Sequence, residues 1–297
     1  MGLSIKKFMQ KNGVGYLFIL PFAVLFTVFV VAPVVVAIGT SFTQNNMIQP
    51  PRWVGLTNYR LLFMDDDIFM LSLRNTFVFA FITGPLGYIL SFFAAWFINQ
   101  LKFKSVFSLA FYVPSITSGV AMGAVWLYFF SPDSNGLINN FLLRNGFIQS
   151  PVLWTLDAST ILPVIMIISI WMSMGTGFLV LLAGLQNVSP ELYEAAAIDG
   201  VKSKLQELTM ITLPLLKPQM LFGAISTIAG SFAVFDISVA VAGQPSPNYA
   251  GATIVTHLHD YAFLRFQMGY ASSIAVVLFV LTFSLGRIVM RLLRDDT

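Results

Sequence analysis

Six runs of almost uncharged residues, each long enough to cross a bilayer, constrain this chain more than any other feature. They fall at about 14–41, 75–99, 106–130, 160–185, 219–243 and 271–290. A hydrocarbon core needs about 20 residues of helix to span it. The expected fold is therefore an all-α integral membrane protein with six transmembrane helices. Composition agrees: 57% of the 297 residues are hydrophobic and 10% are charged, far more apolar than a soluble core of this length requires. The first run follows Lys6, Lys7 and Lys11 like a signal peptide, but it is too long for one. It also lacks a small-residue cleavage site before Ser41, so it reads as a retained span behind a short segment, 1–13. Pro21 and Pro33 are tolerable inside a span whose neighbours satisfy the freed carbonyls.

Six crossings place both termini on one side, and the flanking cations choose which. One side holds Lys6, Lys7, Lys11, Lys102, Lys104, Lys202, Lys204, Lys217, Arg287, Arg291 and Arg294; the other holds Arg52, Arg60, Arg74, Arg144 and Arg265. The richer side is cytoplasmic, so both termini lie inside and the segments near 42–74, 131–159 and 244–270 face outward. Asp65, Asp66 and Asp67 read as a solvated acidic turn, and His257 and His259 as members of a solvated loop.

The segment between the fourth and fifth runs, "SPELYEAAAIDGVKSKLQELTMITLPLLKP", is polar where the rest is greasy. Ser189 suits an N-cap and Pro190 the first helical turn. Glu191 and Glu194 lie near the positive end of the helix dipole. Ala195, Ala196 and Ala197 favour helix and leave a slim face, and Gly200 is placed to end it as a C′ residue. The pattern predicts a helix over 190–199 and a second helical stretch from Ser203 to the Pro214 region. A helix this short is marginal alone, so something must dock against it.

The order Glu194-Ala195-Ala196-Ala197-Ile198-Asp199-Gly200, followed by Leu213-Pro214, resembles the EAA signature of importer-type ABC permeases. "GYLFILPFAVLFTVFVVAPVVVAIGTSFT", "WVGLTNYRLLF", "FYVPSITSGVAMGAVWLYFF" and "AFLRFQMGYASSIAVVLF" resemble the first of the two permeases in maltose and glycerol-phosphate uptake systems. One stretch departs: the family's LTGGGP-like turn reads "AVAGQPSP" here, Ala240 to Pro247. The resemblance implies a multi-pass permease domain, 14–297, in a prokaryotic plasma (inner) membrane. It implies a cytoplasmic coupling helix between spans four and five, within the loop 186–218, with Glu194, Ala195, Ala196, Asp199, Gly200, Leu213 and Pro214 engaging an ATPase. Implied partners are a second permease forming a heterodimer, two ATPase subunits, an extracytoplasmic solute-binding protein and the lipid bilayer.

The chain itself has no Walker A pattern, so ATP and Mg are expected on the partner ATPases and no cofactor here. It has no cysteine, no HExxH and no GxSxG elbow, which leaves an enzyme little to work with. The net charge of +3 comes from cations at the ends of spans and is no nucleic-acid signal. Asp236 is the one acid well inside a run, a costly position that reads either as functional or as a hydrated structural residue. The resemblance puts a polar pocket at this level, near Ser115, Ser169 and Ser173. Short hydroxyls suit a sugar, and Phe232, Phe235 and Trp171 offer it aromatic faces. The expected function is alternating-access import of a sugar or oligosaccharide. A non-sugar solute such as glycerol phosphate, or an ion-coupled secondary transporter, remain as alternatives. A secondary transporter would show internal repeats and more buried ionisable groups.

Overall fold

A computed structural model of the chain describes residues 2–293. Arg294, one of the cations used to orient the chain, lies outside the described residues. The first run is a continuous helical rod: α1 (Gly2–Phe26), a π-helical turn at Thr27–Val31, and α2 (Ala32–Ser41). The wide turn falls just before Pro33, whose ring would crowd the Phe29 carbonyl in a regular helix. Next come α3 (Thr57–Met64) and the 33-residue α4 (Asp67–Asn99), which begins eight residues before the expected 75. The third run is not one rod but two helices, α5 (Lys104–Ile116) and α6 (Gly119–Phe129), bent by 98°. After α7 (Leu137–Arg144), the fourth run forms α8 (Ala158–Ser173) and α9 (Thr176–Gln186) with a break at Met174-Gly175.

Then come α10 (Pro190–Ile198), α11 (Lys204–Glu207), a π-helical turn at Leu208–Thr212, and α12 (Leu213–Leu215). The expected fifth span, 219–243, is instead α13 (Lys217–Phe232) and a short α14 (Asp236–Ala242). The helical stretch before it, Lys204–Leu215, meets α13 at 77°. The chain closes with α15 (Ile254–His259), a π-helical turn at Asp260–Leu264, and α16 (Met268–Leu293). Four helices qualify as crossings by length and apolarity, or up to six if each bent pair counts as one. The all-α expectation has one small exception: Thr43–Gln44 pairs antiparallel with Arg52–Trp53.

The chain divides into two compact units. One comprises the residues up to Asp65 together with Leu258–Val277. Its polar joint is Asn58, which donates to the carbonyls of Ser41 at 2.8 Å and Thr43 at 2.9 Å. Tyr59 donates to the Ser41 hydroxyl at 2.7 Å, and Phe42 stacks on Trp53 and packs at a tilt against Tyr59. Gly269 needs its missing side chain, because a methyl group there would run into the Thr43 carbonyl. Arg265 pairs with Asp260 at 2.7 Å and lies over the Tyr261 ring.

The other unit, Asp66–His257 with the chain from Leu278 on, is organised along α4. Two separate apolar clusters form on it. One gathers Phe79, Phe130, Ile161, Ile165, Ile168, Ile237 and Val241. The other gathers Phe92, Ile98, Phe178, Leu181, Leu185, Leu208 and Leu216. Between Phe79 and Phe92, α4 turns to small and polar residues: Thr83, Gly84, Gly87 and Ser91 are all buried. Small residues let helix backbones approach closely where lipid supplies no hydrophobic drive.

At the start of α4 the acidic turn is not simply solvated. Asp66 caps the helix, accepting from the Phe69 N–H at 2.8 Å, and its other oxygen lies 2.9 Å from His257 Nε2. His257 is buried rather than a loop histidine, and His259 packs on the Phe263 ring. Asn75 donates to the carbonyls of Tyr249, Ala250 and Ala252, and Thr76 accepts the Ile254 N–H. The expected outer loop is thus bolted to α4, because its backbone groups are buried and must find partners. At the start of α8, Asp157 accepts from the Ser159 N–H and hydroxyl, and these bonds hold its carboxyl below the usual carboxylate range.

Candidate functional site

The three broken runs break at places that meet. A methyl group added at Gly175, in the α8/α9 break, would overlap the Ser115 side chain beside the α5/α6 break. One added at Gly119, the first residue of α6, would come within 2.8 Å of Asp236 Cβ, at the α13/α14 break. Ser173 lies against Gly87 of α4, and Ser231 of α13 against Gly84. The junction therefore sits in the small, polar layer between the two apolar clusters. Counting about 1.5 Å per residue along the chain, Ser115 is about 17 Å from the start of α5 and Ser173 about 20 Å from the end of α9.

The chemistry of the layer is mostly neutral. Ser115 and Ser173 donate back to the carbonyls of Tyr112 and Ile170, at 2.8 and 2.7 Å, and keep their acceptor lone pairs. Ser169, one turn above Ser173, has a buried hydroxyl with no partner among the described residues. Phe235 is half-buried. Phe232 does not offer a free face as expected: it is 3% exposed and sits edge-on against Phe77 at 5.5 Å, because it closes the packing of α13 on α4. Trp171 is partly exposed and edge-on to Trp126 at 5.3 Å. Asp236 is not a buried acid in a helix interior. It is exposed, begins α14, and makes no hydrogen bond or ion pair among the described residues.

The second set of expected residues lies elsewhere in the same unit. In α10, Glu194 and Ala195 are exposed, Ala196 is half-buried, and no residue of the helix is buried. Ile198 is 88% exposed. Ser189 stands at the N-cap position, but its hydroxyl makes no capping bond; Pro190 alone sets the start. The end is a Schellman turn: Val201 N–H donates to Ala196 and Gly200 N–H to Ala197, with Gly200 at φ +96°. Asp199 is exposed at the C-cap. Ser203 and Gln206 form a reciprocal capping box that starts α11. Leu213 and Pro214 belong to a different surface. Leu213 packs on the cluster of Phe178 and Leu208, while Pro214 is exposed beside it. Tyr193 bonds Thr212 at 3.1 Å, and Glu194 faces Lys204 and Glu207 across a cleft of about 340 Å³.

Residues 85–295 match the family model described as "Binding-protein-dependent transport system inner membrane component". The chain belongs to this family. It is a permease component of an ABC-type importer, a part of a transporter rather than an enzyme, and a multi-pass membrane protein. It is similar to an arabinooligosaccharides transport system permease protein of Bacillus subtilis (strain 168), 33% identical over 287 residues, covering 96% of this chain and 90% of the relative. It is similar to a lactose transport system permease protein of Rhizobium radiobacter, 30% identical over 281 residues, covering 93% and 91%. In fold it resembles a chain from the crystal structure of a bacterial ABC transporter involved in import of the acidic polysaccharide alginate. The TM-score is 0.82 and the identity 22%, with 99% of each chain covered.

Sequence reasoning named Ser115, Ser173 and Asp236 but missed what brings them together. Gly87, Gly119 and Gly175 are the partners that permit contact. For Gly119 and Gly175 the signal was legible: "PSITSG" and "SMGTG" interrupt two apolar runs with glycines and hydroxyls, as "AGSFAVFD" interrupts a third.

Proposed function

We propose that this permease passes a neutral-hydroxyl solute, a sugar or oligosaccharide, through the junction of its three broken spans. The observation that carries the reading is that these breaks converge in a hydroxyl-bearing layer between two dry clusters. Ser115, Ser169 and Ser173 would supply donors and acceptors, Phe235 and Trp171 ring faces, and Asp236 a carboxylate. The arabinooligosaccharide and lactose permeases it resembles over nine-tenths of its length support the substrate class. Six crossings, taking the bent pair 104–129 as one and α13, without the helical stretch 204–215 before it, as another, would form the domain 14–297, with both termini and the loop 186–218 cytoplasmic and 1–13 leading into the first span. The helix α10, unpacked and ending in an exposed Ile198, would be the coupling helix. Glu194, Ala195, Ala196, Asp199 and Gly200 would enter a groove on an ATPase, and Leu213 and Pro214 would fasten the loop to the spans. A second permease completes the pore, two ATPase chains hold ATP and Mg, and a solute-binding protein delivers the sugar. ATPase closure would move α10 and rock the spans around the junction.

The chain has no cysteine, so introduced thiols report without background. In the assembled transporter, Lys202→Cys is expected to react with impermeant maleimide only from the cytoplasmic side. Ser173→Cys is expected to react with small water-soluble thiol reagents, while Ile165→Cys, in the dry cluster, is not. Outside labelling of Lys202→Cys would invert the topology; a silent Ser173→Cys would remove the path from the junction.

A further inference from the structure

We infer that Asp236 is a charge filter: it makes the path favour neutral or cationic solutes over sugars that carry a carboxylate or phosphate. The inference rests on the junction being the path, and adds to it the sign of the charge that the path rejects. Asp236 is exposed and has no partner among the described residues, so its charge is not neutralised within the chain. It lies against the first residue of α6, and that residue is Gly119, which puts no side chain of its own beside the carboxylate.

The elements around the junction do not compensate it. The helices α6, α8, α9 and α14 contain no Lys, Arg or His. The single lysines of α5 and α13, Lys104 and Lys217, open those helices, about 17 and 22 Å from the ends that reach the junction. Arg74 is exposed near the start of α4, and the buried His257 is beside Asp66. A lone carboxylate between low-dielectric walls focuses its field along a narrow path. Ser115 and Gly119 are four residues apart, at most about 14 Å of chain, so the Ser173 region lies within reach of that field.

The test needs no knowledge of the sugar. Ser173→Cys is placed in the assembled transporter, and its thiol is reacted with a cationic and an anionic methanethiosulfonate of similar size. Each rate is divided by that for a free thiol. With Asp236 in place, the cationic reagent is expected to react at least about tenfold faster in relative terms. Asp236→Asn should bring the ratio close to one, Asp236→Glu should keep it, and Lys202→Cys, away from the junction, should show no dependence on position 236. Copurification with the companion permease and ATPase checks that each variant assembles. An unchanged ratio in Asp236→Asn overturns the filter and leaves the path standing. A thiol that reacts with neither reagent overturns both.

Discussion

Gly200→Val, in an otherwise intact transporter, is expected to abolish the stimulation of ATP hydrolysis by the solute-binding protein while the permease still inserts and folds. Gly200 stands at φ +96°, where a β-branched residue is disfavoured by about 1–2 kcal/mol or more. Nothing lies within 4 Å of where its Cβ would be, so the substitution acts through the backbone alone. The turn must reshape, both Schellman bonds are lost, and the C-terminal end of α10 leaves its direction. Ile198→Asp is the companion variant. It leaves the backbone alone but puts a charge on the 88% exposed apolar tip. If that tip fills a pocket on the ATPase, losing it costs about 2 kcal/mol of docking, roughly thirtyfold in affinity. Copurification of the ATPase reads the second effect directly. Retained docking and full stimulation in both variants would return α10 to an ordinary surface helix.

Gly175→Val is expected to have a comparably large effect for a different reason. Its side chain would occupy the space of Ser115, and overpacking of this kind typically costs about 1–3 kcal/mol. The two breaks would be driven apart, and transport should fall with the helices still inserted. The double variant Gly175→Ala with Ser115→Gly should recover much of what Gly175→Ala loses, because the pair shares one space. Additive losses would mean that the junction is not where the two spans touch. Uptake and thermal unfolding of the single and double variants measure the two parts.

The spans were legible because lipid demands long apolar helices, and no other residue pattern gives runs like 14–41 or 271–290. The short helix 190–198 was legible through Pro190, the alanines and Gly200, which are local signals. What the sequence hid was mostly a matter of packing. The 98° bend between Ile116 and Gly119 leaves the hydropathy of 106–130 unbroken, so a window average reads one rod. Phe232 looked like an open ring face, but Phe77, far away in sequence, covers it. Asp236 read from sequence either as a functional intramembrane acid or as a hydrated one, because its neighbours are apolar; the break at Ala233–Phe235, which hydropathy does not show, puts it exposed at a helix start. His257 and Asp66, 191 residues apart, gave no local sign that they would meet. Ser189 had the right identity for a cap, yet the Leu192 N–H donates to its backbone carbonyl at 3.1 Å and its hydroxyl makes no capping bond.

The central claim is that this chain carries solute only when driven from outside by a binding protein and from inside by an ATPase. Reconstitution into liposomes tests it directly, with the companion permease and ATPase, ATP enclosed, and substrate-loaded binding protein added outside. The account predicts that labelled oligosaccharide accumulates only when ATP and binding protein are both present, and that collapsing proton and sodium gradients leaves the rate unchanged. Accumulation without the ATPase, driven by an ion gradient, would contradict it.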